Sequence, residues 1–327
     1  MNDVLSPPMP PGCKPLSHQV AGHVHGKSKR KLGLLERGSE ILKPVEATPI
    51  GERELIFYET LSNSEDSIIQ KVKLNLAPFI SNYYGLYKYE NIRYLRLQNV
   101  CYEYTYPCVI DLKIGRQTWD PTASEADIIR KRNKYPPCEQ LGFQITGFQR
   151  YYKVISNNDD GFGKIFCSKH EKKCLRQLSA SGMLTALSTF FAYNYEKSST
   201  NSLIPNSQLI ESVLCRLNEL YEAMKNQRSY LFYATSLLII FESWSGATSK
   251  NCTKFNGFRC MEKYDPHSVI ANDDTDGINR SQNNVCDYFS VTFLRDHFTF
   301  NLYINCKFNF STKHYLQMRQ NNLNIQK

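Results

Sequence analysis

Apolar and polar positions repeat along this chain with two different periods. In residues 83–89 and 94–100, bulky and polar side chains alternate, as they do in half-buried strands. Residues 207–227 instead repeat apolar side chains at helical spacing. The apolar stripe comprises Leu209, Ile210, Val213, Leu214, Leu217, Leu220, Tyr221 and Met224. The pattern therefore predicts two strands and one long helix whose stripe lies in a core.

Shorter signals predict further elements between and around these three. They are a hairpin with strands at residues 32–35 and 40–43, a helix opening at residue 51, a strand pair at 143–154 bent at Gly147, a polar loop at 156–173, a helix at 174–193, and one buried strand at 230–242. The chain is therefore predicted to contain both strands and helices.

The most informative stretch is PCVIDLKIG at residues 107–115. Residues 108–112 are predicted to form a buried strand, and Gly115 then allows the backbone to turn. Asp111 and Lys113 are two positions apart, so they project from the same face of that strand. Burying such charges is costly unless they are paired. The pattern therefore indicates either a structural ion pair or a phosphate or polyol site at the strand end.

Residues 124–134 predict a short helix with a basic second half. Ser124 can cap it, and acidic residues occupy its first turn. Arg130 and Lys131 each lie three or four positions before Lys134, so these cations share helical faces. Clustered cations repel one another unless anions relieve them. Two interpretations stay open at this point, a solvated basic face and a site for a polyphosphate.

Lys43 and Glu54 form a second candidate pair. Lys43 ends the predicted hairpin, and Glu54 shares a helical face with Phe57, Tyr58 and Leu61. A strand lysine paired with a helix glutamate is the arrangement that holds ATP phosphates in protein kinases. The alternative is a surface lysine and a solvated glutamate.

Composition and charge narrow the classes of partner. The 327 residues are 41% hydrophobic and 22% charged, which is ordinary for a globular protein. The formal net charge of +9 favours acidic partners, among them nucleic acid, anionic lipid and polyphosphates. The eleven cysteines include no Cys-x-x-Cys pair, so we expect reduced, intracellular thiols rather than a zinc ribbon. The apolar run at 237–241 is too short for a transmembrane segment.

The motif P-x-x-x-D-x-K-x-G, the run RQTWDPTAS that follows it and the basic helix ending Lys134-Tyr135-Pro136 occur together here. Together they resemble the inositol polyphosphate kinase family, and within it the multikinase branch. The segment HQVAGH at residues 18–23 also matches the opening of that branch.

The resemblance implies a two-lobed α+β fold. Its N-lobe would be a sheet plus a helix, as in protein kinases, and its C-lobe would be a larger α+β unit. The domain bounds expected on this basis are a flexible leader at 1–16, an ATP-binding N-lobe at 17–100, a C-lobe at 101–242, a polar insert at 243–284 and a divergent tail at 285–327.

The resemblance also implies an ATP- and Mg²⁺-dependent kinase that phosphorylates hydroxyls of inositol polyphosphates. Lys43 would hold the ATP phosphates and Glu54 would orient Lys43. The hinge at Gln98 and Val100 would contact adenine through its backbone, and Asp111 would bind the ribose hydroxyls. The residues alone also permit Asp111 as a general base.

On the substrate side, the resemblance places Lys113 at the substrate hydroxyl and the transferring phosphoryl group. Arg130, Lys131 and Lys134 would grip the substrate phosphates. Relatives often carry Gln at positions 130 and 131, Lys at position 127 and a carboxylate at position 98. The ring position that receives the phosphoryl group therefore stays open.

The metal ligand is not assigned. Relatives place an Ile-Asp-Phe strand after the insert, and residues 287–327 contain only two carboxylates, Asp287 and Asp296. The resemblance is thus expected to end near residue 242, although the strand-like run at 291–296 ends in Asp296. The alternative function is a catalytically impaired relative that binds inositol phosphates or a protein partner.

Further partners follow from the same resemblance. Phosphoinositide lipid headgroups are a second class of acceptor, and a nucleic-acid partner is not expected because no recognisable module is present. We expect a monomer in the nucleus, the cytoplasm or both, where the basic cluster at 27–31 would act as an import signal, a lipid-surface patch or a solvated loop.

Overall fold

The structure is a computed structural model. It describes residues 7–26, 32–46, 49–119, 123–155, 164–192, 195–197, 205–233, 235–243, 300–305 and 308–310. Within these ranges the chain is an α+β protein with two main sheets, as the sequence predicts. None of the helices in these ranges is both long and apolar enough to cross a bilayer.

The elements are numbered in chain order. The strands are β1 Lys14–Pro15, β2 Leu35–Arg37, β3 Glu40–Pro44, β4 Tyr83–Tyr89, β5 Ile92–Gln98, β6 Pro107–Ile114, β7 Phe143–Ile155, β8 Lys164–Glu171, β9 Tyr195–Lys197, β10 Tyr230–Phe232, β11 Ser236–Glu242, β12 Phe300–Asn305 and β13 Phe308–Phe310. The helices are α1 Pro49–Asn63, α2 Ser67–Leu76, α3 Glu125–Arg132, α4 Cys138–Leu141, α5 Lys172–Leu175, α6 Ala180–Phe190 and α7 Ser207–Asn226.

The N-lobe is built on an antiparallel five-stranded sheet in the order β1-β2-β3-β5-β4. The predicted hairpin is present, but its first strand lies later than 32–35 because the turn is centred on Gly38 and Ser39. Gly38 has φ of 59°, which favours glycine, so it fixes the turn position. The strand predicted at 94–100 begins and ends two residues earlier. Part of the predicted leader is also structured, since β1 pairs with β2.

Helix α1 packs its predicted face into the protein. Glu54, Phe57, Tyr58 and Leu61 are all buried, which confirms the helical spacing. The Phe57 and Tyr230 rings meet edge to face, with centroids 5.0 Å apart. Because Tyr230 belongs to the C-lobe, the two lobes share one continuous hydrophobic core.

The C-lobe sheet has the order β12-β11-β6-β7-β8, and β9 pairs in parallel with β7. Strand β6 therefore lies between two other strands, and its side chains alternate between two environments. Cys108, Ile110 and Leu112 lie in the main core. Val109 packs on the other face, so Asp111 and Lys113 follow it away from that core.

Several predicted elements need correction in the C-lobe. Residues 143–155 form a single strand rather than a bent pair. At Gly147 a Cβ atom would lie 1.8 Å from the Val20 carbonyl oxygen. Only glycine therefore leaves room for the N-terminal segment to pack against this strand. Residues 164–171, predicted as part of a loop, form β8. The helix predicted at 174–193 is two helices, α5 and α6.

The later elements are only partly as predicted. Helix α7 confirms the prediction for residues 207–227, although Tyr221 is exposed rather than in the core. The strand predicted at 230–242 is broken into β10 and β11, which pair with β13 and β6. Within the predicted tail, β12 pairs with β11 and extends the sheet. The predicted strand at 291–296, the basic cluster at 27–31 and residues 244–284 of the predicted insert lie outside the described residues.

Candidate active site

The predicted ion pair between the N-lobe sheet and helix α1 is present. Lys43 Nζ on β3 lies 2.5 Å from Glu54 Oε1 on α1. The two side chains are 17% and 7% exposed, so the pair is largely removed from water. A buried pair of this kind needs good geometry to offset its lost hydration. The pairing is confirmed, whereas its role at ATP phosphates stays a prediction.

Asp111 is buried, with 8% exposure, in the middle of the C-lobe sheet. Its carboxylate oxygen Oδ1 accepts a hydrogen bond of 2.5 Å from the Thr146 hydroxyl. Thr146 is therefore one hydrogen-bond partner of Asp111, and the contacts described for this carboxylate do not support the interpretation as a structural Asp111–Lys113 pair.

Burial raises the pKa of Asp111 above its ordinary value. Hydrogen bonds from Thr146 and Ser236 and the positive charges of Lys172 and Lys43 oppose that rise without cancelling it. The Lys43 charge acts on this carboxylate from the N-lobe. The Lys43–Glu54 pair and the strand that carries Asp111 are therefore near enough to interact. Ser236, at the start of the neighbouring strand β11, thus holds the Asp111 carboxylate by a hydrogen bond.

Strand register explains this arrangement. Asp111 lies opposite Gly147, but Leu112 lies opposite Ile145, so β7 carries one extra residue, Thr146. The resulting bulge turns the Thr146 hydroxyl onto Asp111. On the next row, Lys113 lies between Ser236 and Gln144 of the neighbouring strands.

Lys113 is half-buried at the end of β6. Burial raises the pKa of the Cys138 thiol, and the positive charge of Lys113 opposes the rise. Lys113 therefore lies toward the start of α4, the helix that follows the basic helix α3. The Cys138 thiol is 3.6 Å from the Gly115 carbonyl oxygen, which fixes the turn after the motif strand.

The predicted hinge follows β5. The Gln98 backbone N–H donates to the Asn82 carbonyl at 2.9 Å, and Asn99 N–H donates to Ser39 at 2.7 Å. Val100 is buried against Val109, and no hydrogen bond from another described residue reaches its backbone N–H or C=O. Of the two predicted hinge residues, Val100 is therefore the better placed to offer backbone groups to a ligand.

Helix α3 is capped as predicted, because the Ser124 hydroxyl accepts a hydrogen bond from the Asp127 backbone N–H at 3.2 Å. The helix ends at Arg132, two residues earlier than predicted, and Lys134 lies in the following turn before Pro136. Arg130 and Lys134 are exposed and Lys131 is half-buried. Lys131 and Lys134 thus do not share a face of one continuous helix.

The cation cluster is also less charged than the sequence suggests. Arg130 lies 2.5 Å from the Asp127 carboxylate, and Arg132 lies 2.8 Å from Glu139. The Arg132 guanidinium also covers the Trp119 ring at 4.9 Å from its centroid. Part of the positive charge is therefore relieved inside the protein before any ligand binds.

Thr146 and Lys172 are site residues that the sequence patterns did not indicate. Thr146 enters only through the bulge, which depends on pairing between distant segments. Lys172 begins α5 directly after Glu171, and Glu171 pairs with Gly147 beside Asp111. In the sequence, Lys172 is one of several lysines in the polar loop predicted at 156–173, so nothing local singled it out.

A metal ligand set is not found in the described ranges, where no three His, Cys, Asp or Glu side chains cluster to hold a metal ion. Asp287 and Asp296 lie outside those ranges.

A model of the inositol polyphosphate kinase family matches residues 94–298 of the chain. The human inositol polyphosphate multikinase is 32% identical over 257 residues, which cover 77% of this chain and 56% of the human protein. The Arabidopsis thaliana inositol polyphosphate multikinase alpha is 31% identical over 70% of this chain and 78% of its own length. The chain belongs to the inositol polyphosphate kinase family.

Two details of the comparison qualify the earlier expectations. The match to the family extends to residue 298, so the expected end of the resemblance near residue 242 is wrong. Asp287 and Asp296 both fall inside the matched region. The chain spans a little over half the length of the human and mouse multikinases, with coverages of 56% and 59%.

Among solved structures, an inositol phosphate multikinase from S. cerevisiae in complex with ADP and Mn²⁺ aligns with a TM-score of 0.46 and 23% sequence identity. The alignment covers 63% of this chain and 76% of the yeast chain.

Proposed function

We propose that this chain is an ATP-dependent kinase that phosphorylates hydroxyl groups of inositol polyphosphates. The observation that carries the proposal is the meeting of the Lys43–Glu54 pair with the motif strand, where the Lys43 charge acts on Asp111. Phosphoryl transfer depends mainly on positioning and charge stabilisation, and both are supplied by such a set of fixed cations and carboxylates.

The nucleotide would lie between the lobes. Val100 would offer its backbone to the adenine, and Lys43, held by Glu54, would bind the phosphates. Asp111 is held by Thr146 and Ser236 and would accept hydrogen bonds from the ribose hydroxyls. These residues fit a nucleotide, because a cation for phosphate, a carboxylate for ribose and backbone groups for a base occur together.

ATP chemistry of this class uses a divalent cation, here Mg²⁺, which neutralises phosphate charge when bound. The described residues do not include a cluster that fits such an ion, so we assign no protein ligand to it.

The acceptor would bind beside Lys113. Lys113 would contact the acceptor hydroxyl and the phosphoryl group, and Arg130, Lys131 and Lys134 would contact substrate phosphates. The mammalian and plant multikinases and the human inositol hexakisphosphate kinase 3, which is 35% identical over 155 residues, support this substrate class.

Phosphoinositide headgroups carry the same phosphates and hydroxyls, so we propose them as a second class of acceptor. We also propose that the protein acts as a monomer in the nucleus, the cytoplasm or both.

The proposal is tested by incubating the purified protein with Mg²⁺ and ATP and a panel of inositol tris- and tetrakisphosphates. Wild type is expected to form products with one more phosphate, and Lys113→Ala to lose at least about 100-fold in rate, as removal of a key charge-stabilising donor does. Lys225→Ala, which removes an exposed lysine from α7, is the control. Binding of inositol phosphates without transfer by wild type would contradict the kinase proposal.

A further inference from the structure

A buried amide, that of Gln144, lies beside Lys113 on the neighbouring strand. Gln144 on β7 is 5% exposed, and its Nε2 atom has no hydrogen-bond acceptor among the described residues. A buried polar group in this state is costly, and such groups are uncommon in folded proteins.

The face on which Gln144 lies follows from its neighbours. Phe143 and Ile145 pack in or against the main core, so Gln144 projects from the opposite face of β7. It pairs directly with Lys113 on β6. Opposed residues in an antiparallel pair have Cβ atoms about 4.5–5.5 Å apart. The Gln144 amide and the Lys113 ammonium can therefore contact the same part of a bound ligand.

A second glutamine of the same strand shows that this fold can satisfy a buried amide. Gln149 Nε2 is 3.0 Å from His18 Nδ1 and 3.1 Å from the Pro107 carbonyl oxygen. Gln149 is 3% exposed, so the two amides are comparably buried. The difference lies in their position, because Gln144 is the one beside the proposed acceptor site.

We propose that the Gln144 amide binds an acceptor oxygen of the inositol polyphosphate, next to the hydroxyl that Lys113 contacts. The inference rests on the proposed function and adds a specificity-determining residue to it. A ring hydroxyl and a phosphate oxygen can both accept from an amide N–H, so either group of the substrate can be the partner. The substrate then supplies the hydrogen bond that the protein leaves unmade.

The test compares Gln144→Met with Gln149→Met. Gln144→Met is expected to raise KM for the inositol phosphate about 10-fold, the scale of one hydrogen bond to a ligand, with KM for ATP unchanged. The melting temperature of ligand-free Gln144→Met is expected to equal or exceed that of wild type, because no hydrogen bond from this amide to another described residue is lost. Gln149→Met is expected to melt at a lower temperature with KM unchanged.

Two further arms identify the oxygen. Substrates that lack one ring hydroxyl or one phosphate are compared in both proteins, and the difference between wild type and Gln144→Met disappears for the substrate that lacks the bonded group. Gln144→Glu serves as a second variant, since a carboxylate repels a phosphate and still accepts from a hydroxyl.

Some outcomes overturn the proposal. Equal KM values for wild type and both Gln144 variants would do so, as would a lower melting temperature for Gln144→Met with KM unchanged. If wild type transfers no phosphoryl group, the proposed function fails separately. Calorimetric titration with an inositol tetrakisphosphate then decides, because equal affinities in wild type and Gln144→Met, or no binding in either, reject the role of Gln144.

Discussion

At Asp111, burial and hydrogen bonding act on one carboxylate in opposite directions. Burial raises its pKa, and Thr146, Ser236 and two lysines lower it, with a net rise from the ordinary value of 3.8. A raised pKa in the folded state means that the folded protein holds this proton more tightly than the unfolded chain. The ionised side chain is therefore kept at a cost in stability, as is common for site residues.

Asp111→Asn is predicted to remove this cost. The stabilisation from the Asp111 proton is fully present below pH 3.8 and is lost as pH rises through the folded pKa. The melting temperature of Asp111→Asn should thus increase relative to wild type as pH rises through the acidic range, and then level off. Thermal unfolding at several pH values measures this, and an advantage that grows as pH falls would contradict the raised pKa.

The Lys43–Glu54 pair makes a second prediction at the residue scale. Lys43→Met leaves a buried carboxylate without its cation and should cost about 3 kcal/mol of unfolding free energy. The double variant Lys43→Met, Glu54→Met should cost less than the sum of the two single variants. Urea unfolding of the four proteins measures the coupling.

The exposed pair Lys225–Glu222, separated by 3.5 Å, is the matched control. Glu222→Gln should change stability by less than about 1 kcal/mol. Equal effects at the two pairs would show that Lys43 and Glu54 are not coupled as the geometry indicates.

At the scale of elements, helix α3 carries a carboxylate that already pairs with one of its own cations. Asp127 lies 2.5 Å from Arg130, so a substrate phosphate must compete with this carboxylate.

Asp127→Asn is predicted to lower KM for inositol tetrakisphosphates up to about 5-fold, since an exposed ion pair is worth at most about 1 kcal/mol. The kcat value should not change, because the helix does not touch the reacting atoms in the proposed mode. Steady-state kinetics measures both constants, with Glu222→Gln as an exposed carboxylate control on α7. A KM that is unchanged or higher would show that α3 does not bind the substrate phosphates.

Strand β7 makes a prediction that concerns the N-terminal segment. Gly147→Ala would place a Cβ atom 1.8 Å from the Val20 carbonyl oxygen, so the segment must move away from the sheet. A loss of about 2–4 kcal/mol is expected, as for other severe backbone clashes. Gly182→Ala in α6 brings its Cβ atom to 3.3 Å from the Leu178 side chain, which can shift by a few tenths of an ångström, so it should cost much less than Gly147→Ala. Urea unfolding compares the two, and equal stabilities would contradict the contact.

Across the whole molecule, the lobes are joined by more than the hinge. Helices of the N-lobe pack against the C-lobe, and Arg216 of α7 donates to the Pro78 carbonyl at 2.9 Å while it covers the Phe79 ring. Because both lobes contribute side chains to one close-packed core, their relative position is held by this packing as well as by the hinge.

The sequence predicted those features whose signal is local. Periodic spacing predicted the buried face of α1, the apolar stripe of α7 and the strand that carries Asp111 and Lys113. A single capping residue predicted the start of α3. Strand β8 was missed because most of its side chains are exposed, so it has no apolar alternation. Thr146 and Gln144 were missed because their roles arise from strand register, which pairs segments far apart in sequence.

The most direct test of the whole account separates nucleotide binding from transfer in Lys113→Ala. ATP affinity is measured by calorimetry, and transfer of labelled γ-phosphate to an inositol tetrakisphosphate is measured in a single turnover. We expect Lys113→Ala to bind ATP within about 2-fold of wild type and to transfer at least about 100-fold more slowly. Transfer by Lys113→Ala at the wild-type rate, or no transfer by wild type, would contradict the assignment of the motif strand as the kinase site.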